Sequence, residues 1–375
     1  MINTVTIIGC SCLVVLLALR PAARDGRGII RSLFAWLAGL VLGAFGIYQS
    51  VHFLGYAPAS SANAYVKFNI DRVRDNKDAL PKNVLLVEGG SYGARAINYQ
   101  RLENELHARG YSVMVLQFCN PGAPHFERLY TLKQFLWCIG KEMRERLNEK
   151  NVLLLSEVCR AYDLDPVAQF KQNQYSSRTL AYLQPYTVLQ ALHASWLCRK
   201  FDGGVELAFP LKVELIKHGL MNAFNIGIVR RSEALSLATK SEPVFALNVK
   251  AKNYEHQNFK LSALVDELEK ITNAPPLDLR WREVIESELK ATGLKYHRIF
   301  FATPSRNRGD IRHLVLHKQR FPQDPFIYFE SDSDFLNSLD GPECWYDDGH
   351  LMGPGVESCT SWFAAKIADS GFLVK

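Results

Sequence analysis

Three short apolar runs limit most tightly what this chain can fold into. They are "NVLLVEG" (83–89), "YSVMVLQF" (111–118) and "NVLLLSEV" (151–158). Their apolar residues run on without polar alternation, so each reads as a strand buried on both faces. "NYQRLENELHARG" (98–110) separates the first two runs; it has helical periodicity and closes on Gly110. "TLKQFLWCIGKEMRERLNEK" (131–150) separates the second from the third and reads as one helix. Strand, helix, strand, helix, strand predicts an α/β domain with a mostly parallel sheet covered on both faces.

Later segments extend the pattern. Helices are expected over 262–273, 279–293 and 353–369, and strands over 298–304 and 325–331. Residues 164–242 interrupt it. Stretches such as 186–201 and 211–224 are helical in period, which suggests an inserted helical subdomain. The domain is placed at 82–375, with 57–81 as linker and lead-in, "APASSANA" (57–64) being its linker portion. No internal repeat or low-complexity tract is visible.

The N-terminus reads differently. Ile2–Leu19 carries no charge over 18 residues, enough to cross a hydrocarbon layer of about 30 Å. A cleaved signal peptide would place basic residues before the apolar run, whereas here they follow it. Ser32–Leu54 forms a second expected span, with Gly39 and Gly43 at the spacing of a close helix contact. Residues 1–56 thus read as two transmembrane helices. Arg20, Arg24, Arg27 and Arg31 lie between them against Asp25. Positive loops stay cytoplasmic, so the domain beyond about residue 57 is expected outside the cytoplasm, in the periplasm of a bacterium.

With 375 residues, 48% of them apolar, the chain can bury a sizeable core. A net charge of +6 without an extended basic block argues against a nucleic-acid partner. The eight cysteines form no C-x-x-C and none pairs with histidine at zinc spacing, so no metal is expected. Asp332 and Asp334 in "SDSD" lack the glycine and glutamate of a calcium loop. No cofactor motif appears. Cys10 and Cys12 fall in the first apolar run; the other six are either thiols or up to three disulfides.

The chemistry concentrates at two places. The first strand leaves through Gly89-Gly90-Ser91-Tyr92-Gly93 into a helix. The glycines could be only a tight turn, Ser91 only an N-cap, or the loop a phosphate cradle. The phosphate motifs fail: there is no G-x-x-x-x-G-K-[ST], and G-x-G-x-x-G fits neither register. Ser91 otherwise sits where open α/β sheets place ligands, with neighbouring amides suited to an oxyanion. A serine nucleophile needs a base, and the base an orienting acid. "WYDDGHLMGPG" (345–355) supplies both just before the last helix: His350 with Asp347 or Asp348. An exposed acidic turn capped by a histidine is the plain alternative.

Ser91 near the start of the domain, and Asp347-x-x-His350 before the final helix, resemble the SGNH (GDSL-type) hydrolase superfamily. The resemblance covers about 82–158 and 296–370. It implies a three-layer α/β/α fold, Ser91 as nucleophile, His350 as general base, Asp347 as its orienting acid, and ester chemistry through an acyl-enzyme. It implies an oxyanion glycine after the second strand, where Gly122 stands with Asn120 nearby. The family's G-D-S is Gly-Gly-Ser here. Its asparagine after the third strand is absent, and Ser156 or Glu157 takes that place. With an N-terminal anchor, the chain is similar to extracytoplasmic partners of membrane-bound O-acyltransferases in teichoic-acid D-alanylation and in alginate and cellulose acetylation. Those relatives are expected to carry a single anchor, against two here.

Two functions follow as expectations. One is a membrane-anchored serine esterase or O-acyltransferase acting on an acylated envelope polymer or a lipid-linked acyl donor. The Tyr92 and Gly122 amides would hold the oxyanion, with water or a hydroxyl as acceptor. The other is a non-catalytic binding or assembly protein that partners a membrane-bound O-acyltransferase. Trp345 and Tyr346 are candidates for stacking on a sugar. Arg306, in "PSRNRGDIRH" (304–313), is a candidate for an anionic polymer, the plain reading of that stretch being a solvated loop. His125 needs no role, and Trp137, Trp196 and Trp281 read as core.

Overall fold

The computed structural model describes residues 34–39, 41–43, 61–119, 125–158, 260–270, 280–329 and 332–375. Within them the chain forms an α/β unit on a five-stranded sheet of order β2-β1-β3-β4-β5, parallel throughout. The strands are β1 (Asn83–Gly89), β2 (Val113–Cys119), β3 (Asn151–Glu157), β4 (His297–Phe301) and the two-residue β5 (Phe326–Ile327). The helices, in chain order, are α1 (Ser61–Asp75), α2 (Ser91–Ala96), α3 (Tyr99–Ala108), α4 (His125–Cys138), α5 (Gly140–Asn148), α6 (Leu261–Glu269), α7 (Arg280–Lys290), α8 (Arg308–Arg320), α9 (Ser333–Asn337) and α10 (Pro354–Asp369).

The continuous apolar strands are buried as their composition requires: every residue of β1 and β2 is buried. Successive side chains leave a strand on opposite faces. Leu85, Val87, Val115 and Leu155 meet the core formed with α3, α6, α8 and α10. Val84, Leu86, Leu116 and Leu154 meet that formed with α1, α4, α5 and α7. Helices therefore cover both faces.

Several boundaries differ from expectation. The lead-in at 57–81 contains helix α1, whose Val66, Ile70 and Val73 belong to the core, so most of this segment is part of the folded unit. The helix expected at 131–150 begins earlier, at His125, and breaks at Ile139, because Gly140 takes φ +82°. Part of the stretch read as a loop at 304–313 is the start of α8: Asn307 caps it, its side chain accepting from the Gly309 and Asp310 amides. Trp137, read as core, is 56% exposed. The helical subdomain at 164–242, Trp196 and the first membrane span lie outside the described residues. Residues 34–39 and 41–43 are helical, and Phe34, Trp36, Leu37 and Val41 are exposed. Among the described residues no helix is long and apolar enough to cross a membrane. Cys119, Cys138, Cys344 and Cys359 are free thiols.

The amino ends of β1 and β3 are stitched to the C-terminus. Asn83, fully buried, accepts from the Val374 amide at 2.8 Å and from Asn151 Nδ2 at 2.8 Å, and donates to the Val374 carbonyl at 2.7 Å. Asn151 also donates to the Phe372 carbonyl at 2.7 Å. Replacing Asn83 by leucine keeps the shape and strands these partners. It is expected to lower the unfolding free energy by about 3 kcal/mol, read from urea unfolding of the purified chain.

β1 is paired with β2 on one side and β3 on the other, while the chain visits β2 before β3. The connections after β1 and β3 therefore part at the carboxyl edge of the sheet, the crevice where open α/β folds hold ligands.

Candidate active site

Ser91 stands in this crevice as the first residue of α2. The N-cap is Gly90, and no side chain caps the helix, so Ser91 is not a capping residue. Its Oγ lies 2.8 Å from His350 Nε2. His350 Nδ1 lies 2.7 Å and 2.9 Å from the two carboxylate oxygens of Asp347. A carboxylate only accepts, so Nδ1 carries the proton and Nε2 is left to accept from Ser91. The structure thus brings together the serine, histidine and aspartate singled out in the sequence, over 259 residues of separation between Ser91 and His350. It also decides between the two aspartates. Asp347 faces the ring, whereas the Asp348 carbonyl accepts from the Arg306 amide at 2.6 Å.

The Asp347 carboxylate is set by its own loop. Burial acts to raise its pKa, but the Gly349 amide, the His350 ring and the His350 amide outweigh this and hold it below the ordinary value. A lowered folded pKa stabilises the fold above the unfolded carboxylate value of about 3.9 and loses that contribution as pH falls through the lowered one.

The loop itself is anchored from below. Trp345 and Leu351 form an antiparallel bridge, and the Tyr346 amide donates to the His350 carbonyl at 2.8 Å. The Trp345 side chain is 1% exposed and its indole donates to the Leu339 carbonyl at 2.6 Å. Arg306 is buried as well, donating to the Asp340 carbonyl at 2.7 Å and lying over the Trp345 ring. These placements give Trp345 and Arg306 the work of holding the loop. Neither presents an open face to a polymer. Tyr346 is only partly buried, with the Arg95 guanidinium 4.2 Å from its ring centroid.

Tyr92 contributes its ring to the site. It stacks on His350 with centroids 4.5 Å apart and planes within 10°. Its hydroxyl donates to Asp310 at 3.2 Å, and Ser305 donates to the same carboxylate oxygen at 2.8 Å. Gly349 makes the stack possible, since a Cβ there would stand 2.4 Å from the Tyr92 ring. Gly349→Ala is expected to push Tyr92 off the imidazole and slow covalent labelling of Ser91 by about tenfold, the scale of a misplacement near 1 Å. Labelling at the wild-type rate would show the stack to be dispensable.

The two glycines before Ser91 are explained by Glu157. Its carboxylate, at the end of β3, accepts from the Gly90 amide and from the Gly93 amide, the latter at 2.8 Å. Arg128 lies 3.5 Å from the same carboxylate and donates to the Glu157 carbonyl at 3.0 Å. Both side chains are buried. A Cβ on Gly89 would come within 2.7 Å of the Glu157 carboxylate, and one on Gly90 within 2.8 Å of Arg128. The turn is glycine-rich because a buried ion pair packs against it. Of Ser156 and Glu157, the glutamate is the one at the turn; Ser156 accepts from Arg298 at 2.9 Å.

Gly122 and Asn120 lie outside the described residues, as does the side chain of His125. Among the described residues no group of acidic, histidine or cysteine side chains could hold a metal ion. No protein-family model matches the chain, and a search of curated proteins finds no match.

Proposed function

We propose that this chain is a serine esterase or O-acyltransferase of SGNH type, built as a three-layer α/β/α domain and anchored by two N-terminal spans. The single observation that carries the reading is the Ser91–His350–Asp347 relay. Ser91 Oγ attacks an acyl carbonyl while its proton passes to His350 Nε2. Asp347 holds the imidazole and stabilises the charged ring. The oxyanion donors in this reading are the Tyr92 amide and, as the family resemblance implies, that of Gly122. His350 then returns the proton to the departing alcohol, leaving an acyl-serine. Water as second acceptor gives deacylation; a sugar or polyol hydroxyl gives transfer.

The substrate we propose is an acylated cell-envelope polymer or a lipid-linked acyl donor, handled on the periplasmic side. The uncharged runs at 2–19 and 32–54, the basic loop between them, and the exposed apolar side chains at Phe34, Trp36, Leu37 and Val41 support the anchor. A membrane-bound O-acyltransferase docked against the spans is the partner this placement suits.

A second reading, a binding or assembly protein without turnover, is favoured by Glu157. Where the family carries an asparagine donor, a carboxylate stands and offers no N–H to an oxyanion. Release of 4-nitrophenol from its acetate by the purified full chain separates the two. The enzyme reading expects saturable turnover that Ser91→Ala abolishes; a rate unchanged by Ser91→Ala would remove it.

A further inference from the structure

Among the described residues the guanidinium of Arg95 has no polar partner. It follows Ser91 by four residues on α2, so both side chains leave the same side of the helix. It lies over the Tyr346 ring, 4.2 Å from the centroid, and Tyr346 adjoins Asp347 and bonds the His350 carbonyl through its amide. Arg95 is partly buried, yet Nη1 is enclosed without a hydrogen bond, and among the described residues no carboxylate pairs with it. Other buried and partly buried guanidinium groups each hold at least one polar partner, Arg72 with Glu103, Arg282 with Asp324, Arg298 with Glu88 and Arg306 with the Asp340 carbonyl, although Arg306 Nε and Arg144 Nε are, like Arg95 Nη1, enclosed without a bond. An enclosed donor left unmade costs about 1–3 kcal/mol, so a guanidinium held this way beside a reactive serine calls for an external acceptor. The neighbouring carboxylate of Asp347 is already committed to His350.

We infer that Arg95 is a specificity residue: it receives an anionic group, carboxylate or phosphodiester, carried by the polymer next to the ester that Ser91 attacks. The inference rests on the reading of Ser91 as nucleophile and narrows its substrate to acidic polymers. The planar fork of arginine matches both anions, and stacking on Tyr346 fixes its plane. Neutral glucans and neutral acyl esters would lack this contact.

The test is direct binding to the purified full chain, followed by calorimetry. The probes are an oligogalacturonate, an oligomer of glycerol phosphate, and a neutral cello-oligosaccharide. The expected result is binding of at least one anionic probe, weakened about tenfold or more in Arg95→Gln through loss of a charge-assisted contact. Arg95→Lys should restore part of it, and the neutral probe should not distinguish the variants. The anionic probe that binds identifies carboxylate or phosphodiester as the natural group. Equal affinity of wild type and Arg95→Gln, or no binding of either anionic probe, would overturn the inference. Labelling of wild type with a fluorophosphonate on the same sample keeps the two readings apart. Arg95-dependent binding without labelling leaves the anion site standing and removes the hydrolase. Labelling with charge-blind binding does the reverse.

Discussion

Ser91→Ala is expected to lower kcat for ester hydrolysis about 10⁵- to 10⁶-fold, and adding His350→Ala should lower it little further, because members of one relay act as a unit. The geometry gives the reason. Ser91 Oγ has His350 Nε2 as a base within reach at 2.8 Å, and the base is useful only while Ser91 is there to be deprotonated. Asp347→Asn should cost about 10⁴-fold, since an amide that donates to Nδ1 selects the tautomer that presents a proton to the serine. Asp348→Asn should leave the rate near wild type, since the His350 ring is bonded by Asp347 and not by Asp348. Additive losses across Ser91 and His350, or an effect of Asp348→Asn as large as that of Asp347→Asn, would contradict this assignment. Rates are read from progress curves with 4-nitrophenyl acetate, all variants being first shown to unfold at the wild-type midpoint.

The second large effect belongs to Glu157. Glu157→Leu removes the acceptor of two buried amides and the carboxylate partner of Arg128. Breaking a buried pair by removing one member typically costs about 3–5 kcal/mol, because the other charge stays buried. The unfolding free energy should fall by about that amount. The loss should extend to Ser91 labelling, since Gly90 and Gly93 flank the nucleophile. Glu157→Gln keeps the shape and one oxygen acceptor but sets its NH2 against the other amide and removes the charge facing Arg128, so it should recover only part of the stability. The double variant Glu157→Leu with Arg128→Met should be more stable than Glu157→Leu alone, an apolar pair replacing a stranded charge. Wild-type unfolding of Glu157→Leu would mean that the turn stands without its brace.

The sheet was legible because its signal is local. Runs such as "NVLLVEG" carry their burial in composition, and the parallel order follows from helices of adequate length between them. Ser91, Asp347 and His350 were legible for a related reason: the residues sit at strand and helix ends, positions that periodicity marks. Other parts depend on contacts that no window of sequence contains. Glu157 reaches Gly90 across 67 residues, and Arg306 reaches Asp340 across 34. From the sequence Arg306 and Trp345 have the profile of binding residues, being charged and aromatic beside a site. Their burial beneath the Asp347–His350 loop appears only in three dimensions. Helix α1 was obscured because its polar residues, such as Asn69 and Arg72, look like linker; in the fold Asn69 donates to the Gln117 carbonyl at 2.7 Å and Arg72 pairs with Glu103. A sequence signal for Arg95 did exist, as the i+4 partner of a candidate nucleophile, but that no counter-charge meets it among the described residues appears only in the structure.

Glu157 also bears on how the oxyanion is held. With the Gly93 amide bonded at 2.8 Å to a carboxylate, the donors proposed are the Tyr92 amide and the segment around Gly122. On the proposed reading the oxyanion is therefore left to the Tyr92 amide and a short stretch after β2.

The most direct test of an activated Ser91 is the intact mass of the full chain after exposure to a fluorophosphonate, beside Ser91→Ala and His350→Ala. The account predicts a single adduct on the wild type, none on Ser91→Ala, and much slower labelling of His350→Ala. A folded wild type that takes up no adduct, or one labelled equally after Ser91→Ala, would contradict it.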